Sequence, residues 1–120
     1  MRRERDHQWA VSEGANHPAV WHTVEAVLSE TLYLTGPEGA ESLAALLRRN
    51  RLVVSFELSK HHEAVFSLIR KYEDVPMSLA DACLVRMTEI LPDPLVLTTD
   101  SDFRIYRRHS RQVVPCAMPR

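Results

Sequence analysis

Carboxylates that could hold a metal ion stand at three places in this sequence where their surroundings make them costly or conspicuous. Asp81 lies in Ser78-Leu79-Ala80-Asp81-Ala82-Cys83-Leu84-Val85, an acid within a helix that otherwise reads as buried. Asp100 and Asp102 follow the β-prone run Leu95 to Thr98, and ligands of open α/β sheets gather at the carboxyl ends of strands. Glu25 and Glu30 share one helix and edge its apolar face on opposite flanks, so spacing does not choose between them. Three acids from separate elements, meeting at one end of a parallel sheet, would form an oxygen cage of the kind that hard Mg²⁺ or Mn²⁺ prefers. Such ions activate water and brace an in-line phosphoryl displacement.

Each position also has a local use. Ser78 and Asp81 have capping-box spacing, and on the helix alone a role at the helix start is the stronger reading. An acid held ionised by the positive end of a helix is nevertheless also how a metal ligand is placed. Thr99-Asp100-Ser101-Asp102-Phe103 reads as a turn built on aspartate's local hydrogen bonds, with Phe103 anchoring it into the core. Turn and site are compatible there.

Arg104, Arg107, Arg108 and Arg111 follow at once, with Tyr106 among them. Arginines beside an aromatic suit an RNA strand through phosphate contacts and base stacking; a solvated surface stretch explains them equally well. His61 and His62 are adjacent and face different ways, which suits surface histidines better than a metal pair. Cys83 reads as a small core residue, and Cys116 sits near the chain end without metal or redox spacing.

The elements that must position these residues read as follows. Arg2 to Glu13 forms a helix stopped by Gly14, Asn16 and Pro18, and Ala19-Val20-Trp21 is extended. Thr23 caps a helix over Val24 to Leu34, with Val24, Val27, Leu28 and Thr31 on its inner face. Gly36-Pro37 breaks it, and Pro37 opens a second helix reaching Arg49. Leu52 to Phe56 is a strand, and Ser59 caps a helix with Ala64, Val65, Leu68 and Ile69 inward. Ser78 caps a buried helix, Leu79 to Ile90; Leu95 to Thr98 and Gln112 to Val114 are short strands. This is an α/β layout with a small, mostly parallel sheet.

The chain is 45% hydrophobic and 26% charged, which fits one folded domain and excludes a disordered one. The net charge of −1 means that a nucleic-acid partner must be argued from where charges sit. The first residues lack the apolar stretch of a signal peptide, and no run is long enough to span a membrane. A cytoplasmic location is the expectation.

The segment Tyr72-Glu73-Asp74-Val75-Pro76-Met77-Ser78-Leu79-Ala80-Asp81-Ala82 resembles the Tyr-x-Asp-x-Pro-x-x-x-Ala-Asp-Ala segment of PIN-domain proteins of the VapC kind. Leu97-Thr98-Thr99-Asp100-Ser101-Asp102-Phe103 resembles their Leu-Thr-x-Asp-x-Asp-Phe segment, at the expected distance downstream. Thr23 to Glu30 is similar to their acidic second-helix segment, in which the later glutamate, here Glu30, is the usual ligand. The resemblance runs from about Asp6 to Val114, and implies a PIN-like domain over 1–114 with a tail over 115–120. It implies a three-layer α/β/α fold and cleavage of RNA with Mg²⁺ or Mn²⁺ on Glu30, Asp81, Asp100 and Asp102. Arg104, Arg107 and Arg108 would then face RNA. Many members are toxins held by an antitoxin encoded beside them, and a homodimer fits the resemblance.

PIN domains open with a central strand ending in Asp-Thr or Asp-Ser, the source of the first metal-binding aspartate. Here Met1 is followed by Arg-Arg-Glu-Arg-Asp, which looks like the helix after that strand. The expectation is a start lying upstream, because losing a central strand leaves its neighbours with unpaired backbone groups. The competing expectation is a catalytically inactive PIN-like module that retains RNA or protein binding.

Overall fold

The computed structural model describes residues 12, 16–18 and 20–119. The helix expected over Arg2 to Glu13 lies, Ser12 apart, outside them. The chain divides into two compact units, one spanning Ala19–Met87 and the other including everything from Thr88 onward.

In the first unit, β1 (Trp21–Thr23) pairs in parallel with β2 (Leu52–Val54), Trp21 opposite Leu52 and Thr23 opposite Val54. A parallel pair needs a long crossover, and α1 (Glu25–Arg48) provides it. Thr23 is therefore a buried strand residue, 5% exposed, and not the helix cap expected of it. Val24 occupies the cap position with no side-chain bond.

Gly36 interrupts α1 with φ 69° and ψ −155°, a conformation that essentially only glycine adopts, and Pro37 follows. The break expected at Gly36-Pro37 is thus present. At the far end Asn50 takes φ 57°, its amide donating to the Leu47 carbonyl at 3.1 Å and that of Arg51 to Leu46 at 3.0 Å. Those two bonds satisfy carbonyls of the last turn and aim the chain into β2.

Helix α2 (Leu58–Lys71) begins one residue before Ser59, so Ser59 lies inside the first turn; Glu57 holds the cap position. Val65 is fully buried, while Ala64, Leu68 and Ile69 are half-buried beside it. His61 is not a plain surface histidine. Its ring stacks on buried Phe56 at 4.9 Å, and Arg86 Nε donates to its Nδ1 at 3.3 Å. Helix α3 (Leu79–Ile90) spans the residues expected and buries Ala80, Ala82, Cys83, Val85 and Met87.

In the second unit, β3 (Val96–Leu97) pairs in parallel with β6 (Cys116–Ala117), and β4 (Arg107–Arg108) pairs antiparallel with β5 (Gln112–Val113). A 3-10 helix, Ser101–Arg104, stands between β3 and β4. Phe103, Tyr106 and Val114 are each at most 2% exposed and form its core with Val96. Residues 115–120, read as a tail, thus contain a strand whose flanking amides and carbonyls complete β3: Val96 N–H donates to Pro115 and Thr98 N–H to Ala117.

The protein is a mixed α/β chain with small parallel sheets. Among the described residues the strands form three separate two-stranded pairs, two parallel and one antiparallel, where a single mostly parallel sheet was expected. No helix among them is long and apolar enough to cross a membrane.

Candidate functional site

Asp81 sits half-buried in the first turn of α3. Its Oδ2 accepts from the Ser78 amide at 3.1 Å, and its own amide donates to Ser78 Oγ at 3.0 Å. Two amides left over at a helix start are satisfied reciprocally, so the capping role read from the spacing is present. The positive end of α3 also favours the ionised carboxylate.

Glu30, in the same unit, is exposed on α1. Glu25 is exposed as well. The Cys83 thiol is pushed above its ordinary range first by burial and second by the Glu25 carboxylate. Glu30 stands five helical steps after Glu25, about 7.5 Å along the axis and on a different flank. Their opposite flanks were visible in the sequence.

Asp100 caps the 3-10 helix. Its Oδ1 accepts from the Asp102 amide at 2.9 Å, while its own amide donates to Thr98 Oγ1 at 3.0 Å. The Asp100 carbonyl takes the Phe103 amide, and the Asp102 carbonyl takes those of Ile105 and Tyr106. Phe103 packs edge-on against Tyr106 with ring centres 5.1 Å apart, the anchoring expected of it. Asp100 and Asp102 are thereby held two residues apart in one rigid turn, both half-buried.

The arginines after this turn divide by use. Arg107 Nη1 donates to the carbonyls of Arg104, Tyr106 and Ile105 at 2.7, 3.0 and 3.2 Å, closing the end of the 3-10 segment. Arg108 Nη2 donates to the Thr88 carbonyl near the end of α3, and its Nε is buried with no partner among the described residues. Neither commitment shows in the spacing of the arginines. Arg104 and Arg111 are exposed. Between β4 and β5 the chain turns through His109 and Ser110, both with positive φ, and the His109 amide donates to Glu89 Oε2 at 2.7 Å.

Glu30, Asp81, Asp100 and Asp102 carry oxygen donors of the kind Mg²⁺ or Mn²⁺ selects. Among the described residues, however, no three His, Cys, Asp or Glu side chains are grouped so as to hold a metal ion. No protein-family model, curated protein or solved structure matches the chain.

Proposed function

We propose that this chain is a Mg²⁺- or Mn²⁺-dependent endoribonuclease of the PIN type, with a three-layer α/β/α fold. Glu30, Asp81, Asp100 and Asp102 serve as its carboxylate ligands, and Arg104, Arg107 and Arg108 form its RNA-facing stretch. The mounting of Asp81 and Asp100 carries this reading. Each carboxylate is fixed by a backbone amide at the first turn of a helical segment, inside the motif that resembles the family's. Carboxylates already fixed in this way lose little freedom on meeting a cation. A bound ion would supply an activated water and neutralise charge on the phosphate. The chain's own part is to hold the acids in place and to present the exposed Arg104 guanidinium beside the Asp100 turn. In this reading the protein is the toxin of a toxin–antitoxin pair, acts in the cytoplasm and associates as a homodimer.

The test is incubation of the purified chain with single-stranded RNA and Mn²⁺. Cleavage that is lost with a chelator and with Asp100→Asn supports the reading. A second reading, a PIN-like module that binds RNA or protein without cutting, is favoured by the lack of a three-ligand group among the described residues. RNA binding that persists without cleavage, and that Asp100→Asn leaves unchanged, would select it.

A further inference from the structure

His22 Nδ1 and Ser55 Oγ lie 2.8 Å apart, and both residues are exposed. The register of the parallel pair explains the meeting. His22 is opposite Val53, and Ser55 is two residues beyond Val53, so both side chains leave the same face of the strands. With the ring proton on Nε2, Nδ1 accepts from the serine hydroxyl, as in a base paired with its nucleophile. Ser55 also lies two residues before Glu57, the cap position of α2. Glu57 makes no side-chain cap there, its carboxylate lying 3.3 Å from Lys60 Nζ. The amides of that first turn are therefore uncapped by Glu57, at the positive end of a fourteen-residue helix just past Ser55.

We propose that Ser55 and His22 form a nucleophile–base pair that accepts an acyl group from activated carboxylic esters. Ser55 Oγ adds to the ester carbonyl carbon while its proton passes to His22 Nδ1. The bond from that carbon to the alcohol oxygen breaks, and the alcohol leaves with the proton from His22. Water then attacks the acyl-serine, giving one proton to His22 and, through it, to Ser55 Oγ as the acid departs. The sum is ester plus water to acid plus alcohol. No metal takes part, so this pair stands apart from the carboxylates described above.

The experiment treats the full chain with p-nitrophenyl acetate in the presence of a chelator, following nitrophenol release and locating the acetyl group by peptide mass spectrometry. Acetylation of Ser55, absent in Ser55→Ala, is expected. His22→Gln keeps a hydrogen-bonding group in the middle of β1 but cannot carry the proton, so acylation should slow about a hundredfold with the melting temperature unchanged. No acetyl on Ser55 in the unaltered chain would overturn the proposal. So would an equal rate in His22→Gln, since the contact would then be only a tie between the two strands.

Discussion

Ser78 and Asp81 close the first turn of α3 on each other, the amide of each held by the side chain of the other at 3.1 and 3.0 Å. One carboxylate therefore carries both a demonstrated structural task and a proposed chemical one, and a single substitution separates them. Asparagine keeps the size and the acceptor oxygen, so Asp81→Asn should lower stability by no more than about 1 kcal/mol, chiefly through lost charge at the helix start. It removes the charge a hard cation needs, so Mn²⁺-dependent RNA cleavage should vanish. Thermal melts beside cleavage assays decide the matter; undiminished cleavage in the variant removes Asp81 from any metal site.

The kink at Gly36 offers a test of backbone conformation free of packing. Beyond its two chain neighbours, no atom of the described residues lies within 4 Å of where a β-carbon would sit, yet φ 69° with ψ −155° is closed to other residues. Gly36→Ala should cost about 1–3 kcal/mol, read by urea denaturation. An unchanged midpoint would mean that the two halves of α1 meet at another angle without penalty.

Arg108 and Arg104 should respond oppositely to truncation. Arg108→Ala removes the charged donor to the carbonyl of Thr88, a residue only 2% exposed, and should lose about 1–3 kcal/mol of stability. Arg104→Ala, at an exposed position, should leave stability within about 0.5 kcal/mol. If the proposed RNA contact is made, it should also flatten the salt dependence of RNA binding by about one unit of slope. Equal effects of the two on stability would contradict the division of labour seen here.

The Cys116 thiol is raised to about 11 by burial. A thiol whose folded value exceeds its unfolded one binds its proton more tightly when folded. Its contribution to stability is therefore complete below the ordinary thiol value of 9.0 and is lost as pH rises through about 11. Cys116→Ala should flatten the fall in melting temperature across that alkaline range relative to the unaltered chain. Cys83 shifts in the same direction, so the comparison must keep it in place.

What the sequence disclosed was what short-range chemistry decides. The start of helix α3 was legible because Ser78 and Asp81, three residues apart, close its first turn on each other. The Asp100 turn and its Phe103 anchor were legible for the same reason, since aspartate bonds to amides two residues on. Thr23 and Ser59 misled because a good capping residue does not cap where the strand continues or the helix starts early. Strand β6 was missed because two residues, Cys116 and Ala117, preceded by Pro115, carry no alternation to detect. The uses of Arg107 and Arg108 depend on carbonyls that come near only after folding.

The pairing of β1 with β2 across α1 makes Trp21 a clock for the order of folding events. Trp21 and Leu52 meet only after the whole crossover has been traversed, with the Trp21 amide donating to the Arg51 carbonyl at 2.8 Å. Helical turns relax within roughly a microsecond, whereas bringing distant strands together must first overcome the entropy of closing the loop between them. With Trp9, the only other tryptophan, replaced by phenylalanine, the fluorescence of Trp21 would report that closure alone. Refolding followed by circular dichroism would gain helix before the tryptophan signal moved, and the lag between the two would time the seam's closing.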